Sequence, residues 1–450
     1  MSATFDLLLR GGTVVNQNGI GVADVGVRGG RIAAIGDLSM ADAGAELDIG
    51  GLHVLPGVID TQVHFREPGL EHKEDLATGT AAAVMGGVTS IFEMPNTTPA
   101  TTTEEALHDK LSRAAGRAYC DYAFYVGADR RNIDRLGALE RLPGCAGIKV
   151  FMGSSTGDLL VEDDESLARI LRLGSRRIAV HCEDEARLRD RFRIAVDAGD
   201  PSAHPAWRDP RTAFLATDRL LRLARAAGRR VHVLHVTTAE ELQILAASKD
   251  FATVEVTPQH LTLRAPGCYE DMGTLAQMNP PIRSGRHQEA LWLALRAGVV
   301  DVIGSDHAPH TLEEKSKPYP GSPSGMPGVQ TLLPIMLDHV AEGRLTLERL
   351  VDLTSAGPAR VFGIAGKGRI AVGYDADLSL VDLEARRTIS NEWIASRCGW
   401  TPFDGRTVQG WPIGTIVRGR VAMIEGELAE PEGRPVRFTE TLAGTDRSQQ

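Results

Sequence analysis

Hydrophobic positions along the chain follow two rhythms. From Phe5 to about Leu52, short alternating apolar runs are cut by glycine, as in LLLRGGTVVN and ADVGVRGGRIAAIG. Such alternation predicts strands joined by tight turns. The same texture returns near Lys367, in GRIAVGYDADLSLVDL and GTIVRGRVAMIEGEL. A polar tail follows from Pro431 and is expected to be poorly ordered. The two strand-rich ends predict one small β-sandwich domain assembled from both termini, over residues 1–52 and 366–450.

The middle, residues 53–365, alternates continuous apolar runs with amphipathic stretches. Eight runs read as buried parallel strands: VLPGVIDTQVHF, VTSIFEMPN, CDYAFYVGA, CAGIKVFMG, RRIAVHCE, RVHVLHVTT, ATVEVTPQH and VVDVIGSDHAPH. Between them, DESLARILRLG, TAFLATDRLLRLARAAG and HQEALWLALRAG carry helical spacing. Eight βα units predict an α/β fold, a closed (β/α)8 TIM-like barrel. Polar residues fall at the carboxyl ends of the runs: His64, Asn96, Lys149, His181, His235 and Asp306. A barrel enzyme carries its chemistry on that rim. The Pro-, Gly- and Ser-rich piece from Thr311 to Gly328 follows the eighth strand, and reads equally as a lid or as an exposed connection.

Composition narrows the function. The 450 residues are 42% hydrophobic and 24% charged, so a large core is available. A net charge of −10 without a basic stripe argues against nucleic acid as partner. No apolar run approaches about 20 residues, so no membrane span is expected. The start, MSATFDLLLRGG, has no signal-peptide pattern. Five dispersed cysteines (Cys120, Cys145, Cys182, Cys268, Cys398) form no CxxC pair and fit reduced thiols. A cytoplasmic protein acting on a small molecule is the expectation.

His64, His181 and His235 end their strands in the same way, and Asp306 ends the last. Three imidazoles and a carboxylate converging on one rim suit zinc or a similar divalent ion. His232 lies three residues before His235, so strand alternation puts the two on opposite faces and leaves His235 to the lumen. Lysine is scarce, at seven residues, yet Lys149 sits inside the apolar run GIKVFMG. Burial favours a neutral amine there, which can react with carbon dioxide to give a carbamate ligand. The plainer alternative is a snorkelling or ion-paired lysine.

DTQVHFREPG, AAAVMGGVTSIFEMPNT, GIKVFMGSSTG, HCED, QMNPPIR, GSDHAPH and CGWTPFDG arrive in one order along about residues 5–430. In these blocks the chain resembles the dihydroorotase family of the long bacterial type, in the cyclic-amidohydrolase branch of the amidohydrolase superfamily. The resemblance implies zinc, one or two ions per chain. One would be held by the first-strand HxH residues, a carboxylated Lys149 and Asp306, the other by Lys149, His181 and His235. Asp306 would act as base and then as acid. Arg66 would grip the substrate carboxylate through two hydrogen bonds, with Asn96 and His310 as further contacts, while Asn279 reads the ring. The plainer reading of Arg66 is a strand-end ion pair with Glu67 or Glu93. The implied reaction is the reversible hydrolysis of L-dihydroorotate to N-carbamoyl-L-aspartate in de novo pyrimidine biosynthesis, by a homodimer. Hydantoinases, dihydropyrimidinases and allantoinases share the implied metal core but handle substrates without this carboxylate. A non-catalytic subunit partnering aspartate transcarbamoylase is the remaining alternative.

One position departs from that family's pattern. Its HxH reads QxH here, with Gln62 in the first place. An amide oxygen is a weaker ligand than imidazole. Gln62 then coordinates weakly or bonds a water, or one ion at Lys149, His181 and His235 suffices, or the protein is inert.

Overall fold

The computed structural model describes residues 4–153 and 159–442. The end of the GIKVFMGSSTG block, from Ser154 on, and the last residues of the tail lie outside the described residues. All eight expected barrel strands form: β1 (Val58–Val63), β2 (Val88–Glu93), β3 (Asp121–Gly127), β4 (Cys145–Phe151), β5 (Ile178–His181), β6 (Val231–Val233), β7 (Ala252–Val256) and β8 (Val302–Ile303). They pair in chain order. The ring closes where Val63 bridges His307 in parallel and the His64 N–H donates to the His307 carbonyl at 2.7 Å.

Strand alternation sorts the apolar side chains into two layers. Val58, Ile91, Phe124, Ile148, Val180, Val233 and Val254 belong to the large core that includes the surrounding helices. Ile59, Phe92, Ala123, Tyr125, Ala146, Ala179 and Val302 fill the barrel interior. The helical spacing is realised as Asp164–Arg172, Pro210–Ala227 and Gly285–Arg296. Asp163 and Asp209 cap the first two by accepting from the backbone N–H of Ser166 and Thr212. Among the described residues no helix is long and apolar enough to cross a membrane.

The two ends of the chain meet in one sheet. Leu378–Thr388 pairs antiparallel with His53–Pro56, which pairs parallel with Thr13–Asn16. His53–Pro56 therefore belongs to this seven-stranded sheet rather than to the run that enters the barrel. Gly57 marks the break: a Cβ there would lie 2.1 Å from the Thr89 hydroxyl. A four-stranded sheet from the N-terminal segment packs against it. Leu7, Leu9, Val25, Val27 and Ile32 meet Val14, Val54, Leu378, Leu380 and Ile416 in a shared core.

The segment after Pro431 is not loose as far as Leu442. Tyr122 N–H donates to Arg434 O at 3.0 Å, and Val436 N–H donates back to Tyr122 O at 2.8 Å. Val436 and Phe438 are buried, and the Phe438 ring stands edge-on to Phe92 with centroids 5.6 Å apart. Two apolar residues in a charged stretch were too few to form a readable strand pattern, yet they plug the barrel floor.

At that floor, buried Lys367 donates to Asp121 at 2.8 Å and to Asp377, while Arg418 pairs with Asp121. Burial alone would lower the Lys367 pKa, but Asp121 and Asp377 outweigh it and hold the ammonium charged. Replacing Lys367 by Met takes the shared cation from two buried carboxyls, stranding Asp377 and leaving Asp121 to Arg418 alone. It should cost about 3–5 kcal/mol in urea denaturation. The deficit should shrink as pH falls, because the stranded carboxyl then has a raised folded-state pKa and regains stability by taking up a proton.

Candidate active site

A cavity of about 320 Å³ opens on the carboxyl rim of the barrel, and Gln62, His64, Arg66, Asn96, Lys149, His181, His235, Asn279, Asp306 and His310 all line it. Every candidate residue of the sequence is therefore brought to one place. Three of them sit in backbone strain. Positive φ occurs at Arg66 (65°), His235 (38°) and Asp306 (46°), three of only five such non-glycine residues described. Strained backbone of this kind persists where the surroundings over-determine it, and clusters at functional sites.

The strain at His235 overturns the argument from strand alternation. β6 ends at Val233, and the backbone leaves strand geometry by His235. His232 then faces inward as well, one level lower, with Nδ1 2.8 Å from the Thr253 hydroxyl and Nε2 3.3 Å from Glu255. Below the rim, Asp60 accepts from the backbone N–H of Ser305 (3.0 Å) and Gln62 (3.2 Å), joining β1 to the end of β8. Burial raises the Asp60 carboxyl to about 7 and the Glu255 carboxyl to about 8.

The metal-type donors fall into two pairs. His181 Nδ1 lies 3.0 Å from His235 Nε2, and His64 Nε2 lies 3.3 Å from Asp306 Oδ1. Gln62 donates its amide N–H to the same Asp306 oxygen at 2.8 Å. Burial lowers the pKa of all three histidines, which favours the neutral imidazole that binds metals. Outer partners orient two of the rings. His64 Nδ1 faces Asn96 Oδ1 at 2.8 Å, and His181 Nε2 faces Glu183 at 2.9 Å. Glu183 is in turn held ionised by buried Arg208.

Among the described residues, no three His, Cys, Asp or Glu side chains are grouped to hold an ion by themselves. The missing donors are identifiable. Lys149 Nζ, His235 Nδ1 and Gln62 Oε1 are buried and have no hydrogen-bond partner among the described residues. Lys149 is 1% exposed, its ammonium lies 4.5 Å above the Phe151 ring, and burial lowers its pKa to about 7. It does not snorkel, and among the described residues it forms no ion pair. Orphaned polar atoms in a polar cavity fit a bound cation better than a closed protein network.

Arg66 is 7% exposed and makes no ion pair among the described residues. The alternative partners are taken: Glu67 binds Arg117 at 2.7 Å, and Glu93 binds Lys110. Burial lowers the Arg66 pKa to about 10, still fully charged at neutral pH. Its Nε donates to Pro309 O at 3.1 Å. His310 is engaged on both nitrogens. Nδ1 accepts from Lys73 Nζ at 3.2 Å, so Nε2 carries the hydrogen and donates to Ser324 O at 3.1 Å. The outer Arg66 nitrogen, 3.3 Å from that N–H, then has no acceptor in His310. Asn279 Oδ1 accepts from His204 Nε2 at 3.0 Å, leaving its amide N–H groups as donors.

The rim segment Thr311–Gly328 is partly packed: Leu312, Glu313, Ser316, Lys317, Pro318 and Gly321 are exposed, while Lys315, Tyr319, Ser322 and Gly325–Gly328 are buried. It holds a short helix, Leu312–Lys315, whose buried Lys315 donates to the carbonyls of Gln277, Pro323 and Gly325 at 3.0–3.1 Å. Pro323, Ser324 and Gly325 form a wall of the cavity. Sequence reasoning assigned no role to Lys73, Glu183 or His204. Only Glu183 left a signal, two residues after His181 in HCED.

The amidohydrolase family matches residues 53–422. The chain is 39% identical to a dihydroorotase of Halobacterium salinarum, over 92% of this chain and 97% of that protein. It is 38% identical to an allantoinase of Rubrobacter xylanophilus, over 97% and 98%. Among solved structures, an L-hydantoinase (dihydropyrimidinase) from Arthrobacter aurescens superposes with a TM-score of 0.92 at 32% identity, over 96% of this chain and all of that one. A (β/α)8 barrel with these residues on its rim, matched along most of its length, belongs to the amidohydrolase family.

Proposed function

We propose that the protein is a dihydroorotase, catalysing reversible hydrolysis of L-dihydroorotate to N-carbamoyl-L-aspartate in pyrimidine biosynthesis. The observation that carries this is Arg66, a buried guanidinium that lines the cavity and makes no ion pair among the described residues. Such a group is costly to bury and calls for an anionic ligand. Dihydroorotate carries a carboxylate outside its ring, and a planar guanidinium binds a carboxylate in two parallel hydrogen bonds. The similarity to an allantoinase is nearly as high as that to the dihydroorotase, so allantoin is the second reading. Its ring carries no carboxylate for Arg66.

The residues divide the labour as follows. Arg66 and the Asn96 amide hold the exocyclic carboxylate, and Asn279 donates to the ring. Water adds across the ring C–N bond: oxygen goes to the carbonyl carbon, a proton goes to the departing nitrogen, and the product gains a carboxylate. Asp306, oriented by the Gln62 amide, takes the water's proton and delivers it to that nitrogen. Lys149 is proposed to bind carbon dioxide as a carbamate, its nitrogen forming the N–C bond as a proton leaves. Its burial without a partner supports this. Lys149, His181 and His235 would then hold one zinc ion, and His64, Asp306 and the Gln62 oxygen a second. When bound, zinc supplies Lewis acidity toward the ring carbonyl and toward water.

Purified protein should turn over dihydroorotate in preference to hydantoin, dihydrouracil and allantoin; turnover of an uncharged ring alone would sink the assignment. Arg66→Ala should lower kcat/KM for dihydroorotate by about 2 kcal/mol, the worth of a charge-assisted contact, and steady-state kinetics checks this. Lys149→Met, an apolar near-isostere, should fold with unchanged circular dichroism but retain less zinc by elemental analysis. Wild-type zinc content in that variant would refute the carbamate.

A further inference from the structure

Lys73 lies on the cavity wall beside Arg66 and His310, yet the function just proposed makes no use of it. Its side chain is 13% exposed, and its ammonium is shared between His310 Nδ1 at 3.2 Å and Glu314 Oε1 at 3.1 Å. Glu314 stands on the short helix Leu312–Lys315 of the rim segment, where it also closes a capping box with Thr311. Its carboxylate is thus the only anion paired with the cations at this mouth among the described residues, and it pairs with Lys73 rather than Arg66.

We propose that Lys73 is a second, specificity-determining grip on the substrate carboxylate, and that Glu314 stands in for that carboxylate while the site is free. The inference rests on the dihydroorotase reading and extends it. The geometry needs one exchange. Lys73 has three donors and a flexible stem, and it spends one on His310 and one on Glu314. A carboxylate seated on Arg66 lies at the same wall and competes with Glu314 for the ammonium. Because His310 is saturated by Lys73 and Ser324 O, its part is to fix the Lys73 stem rather than to receive the carboxylate. Binding of an anionic ring then loosens the tie between Lys73 and the rim helix, and release of product restores it. An uncharged ring does neither.

The opposing roles predict opposing effects. Lys73→Met should raise KM for dihydroorotate about tenfold, the loss of one charge-assisted contact. The inhibition constant of dihydrouracil, the same ring without the carboxylate, should move far less. Glu314→Gln keeps a side chain able to close the capping box. It should lower KM for dihydroorotate by about two- to fivefold, the scale of a part-exposed ion pair, and this gain should vanish when Lys73 is also Met. An unchanged KM in Lys73→Met, or equal losses for both rings, overturns the role of Lys73. A Glu314→Gln variant that raises KM overturns the exchange. If the wild type itself ignores dihydroorotate, the functional reading falls and this inference falls with it, which the other outcomes leave standing.

Discussion

The structure is organised around two cationic groups taken out of water and given no ion pair among the described residues. An unpaired buried ammonium or guanidinium is among the most expensive things a protein can contain. This one contains both, Lys149 and Arg66, on a single cavity. Asp306 is the carboxylate that acts most on both, and it offsets only part of the effect of burial. Burial pushes Asp60 and Glu255 up to about 7 and 8, so at neutral pH both carry a proton much of the time. On the proposed reading, Arg66 would take an anionic ligand and Lys149 would trade its ammonium for a carbamate.

Holding such groups in place falls to the apolar framework beneath. The lower barrel is filled by Phe92, Tyr125, Phe362 and Phe438, whose rings pack edge to face. Phe438 comes from the far end of the chain, and Lys367 and Arg418 tie the terminal sheets to the barrel through Asp121. This closed floor lets three rim residues keep backbone angles that an isolated strand end would relax. Strain at the top and clamping at the bottom are two sides of one arrangement.

What could be read from the chain follows the range of the interactions. The eight strands and the rim positions of His64, Lys149, His181, His235 and Asp306 were legible because strand period and end position are local properties. The burial of Lys149 was legible for the same reason, as one charge in an apolar run, but whether it had an ion-pair partner was not. Contacts between distant segments were not legible. Nothing in LEHKED marks Lys73 as the partner of Glu314, more than two hundred residues later, and nothing in HPAWR marks His204 as the support for Asn279. The order of the tail past Pro431 was hidden likewise, because its pairing with Tyr122 spans most of the chain. Alternation failed at His235 because a kink, not a period, decides where that ring points.

Gln62 shows how one substitution divides the centre. Its amide nitrogen donates to Asp306, and exchanging the amide atoms would press oxygen against carboxylate, so the orientation is set. Only Oε1 remains to face an ion, and it is neutral and otherwise unbonded. An imidazole at this position could have given a ring nitrogen of greater donor strength. The His64–Asp306 half therefore gives up donor strength and gains a fixed hydrogen bond on the proton-carrying aspartate. The Lys149–His181–His235 half keeps two neutral imidazoles, one of them braced by Glu183, beside the amine that would become anionic if it is carboxylated as proposed. On the proposed reading, unequal donor sets imply unequal affinities: the tighter ion would belong with Lys149, and Asp306 would be freer for proton transfer because its half would bind metal less firmly.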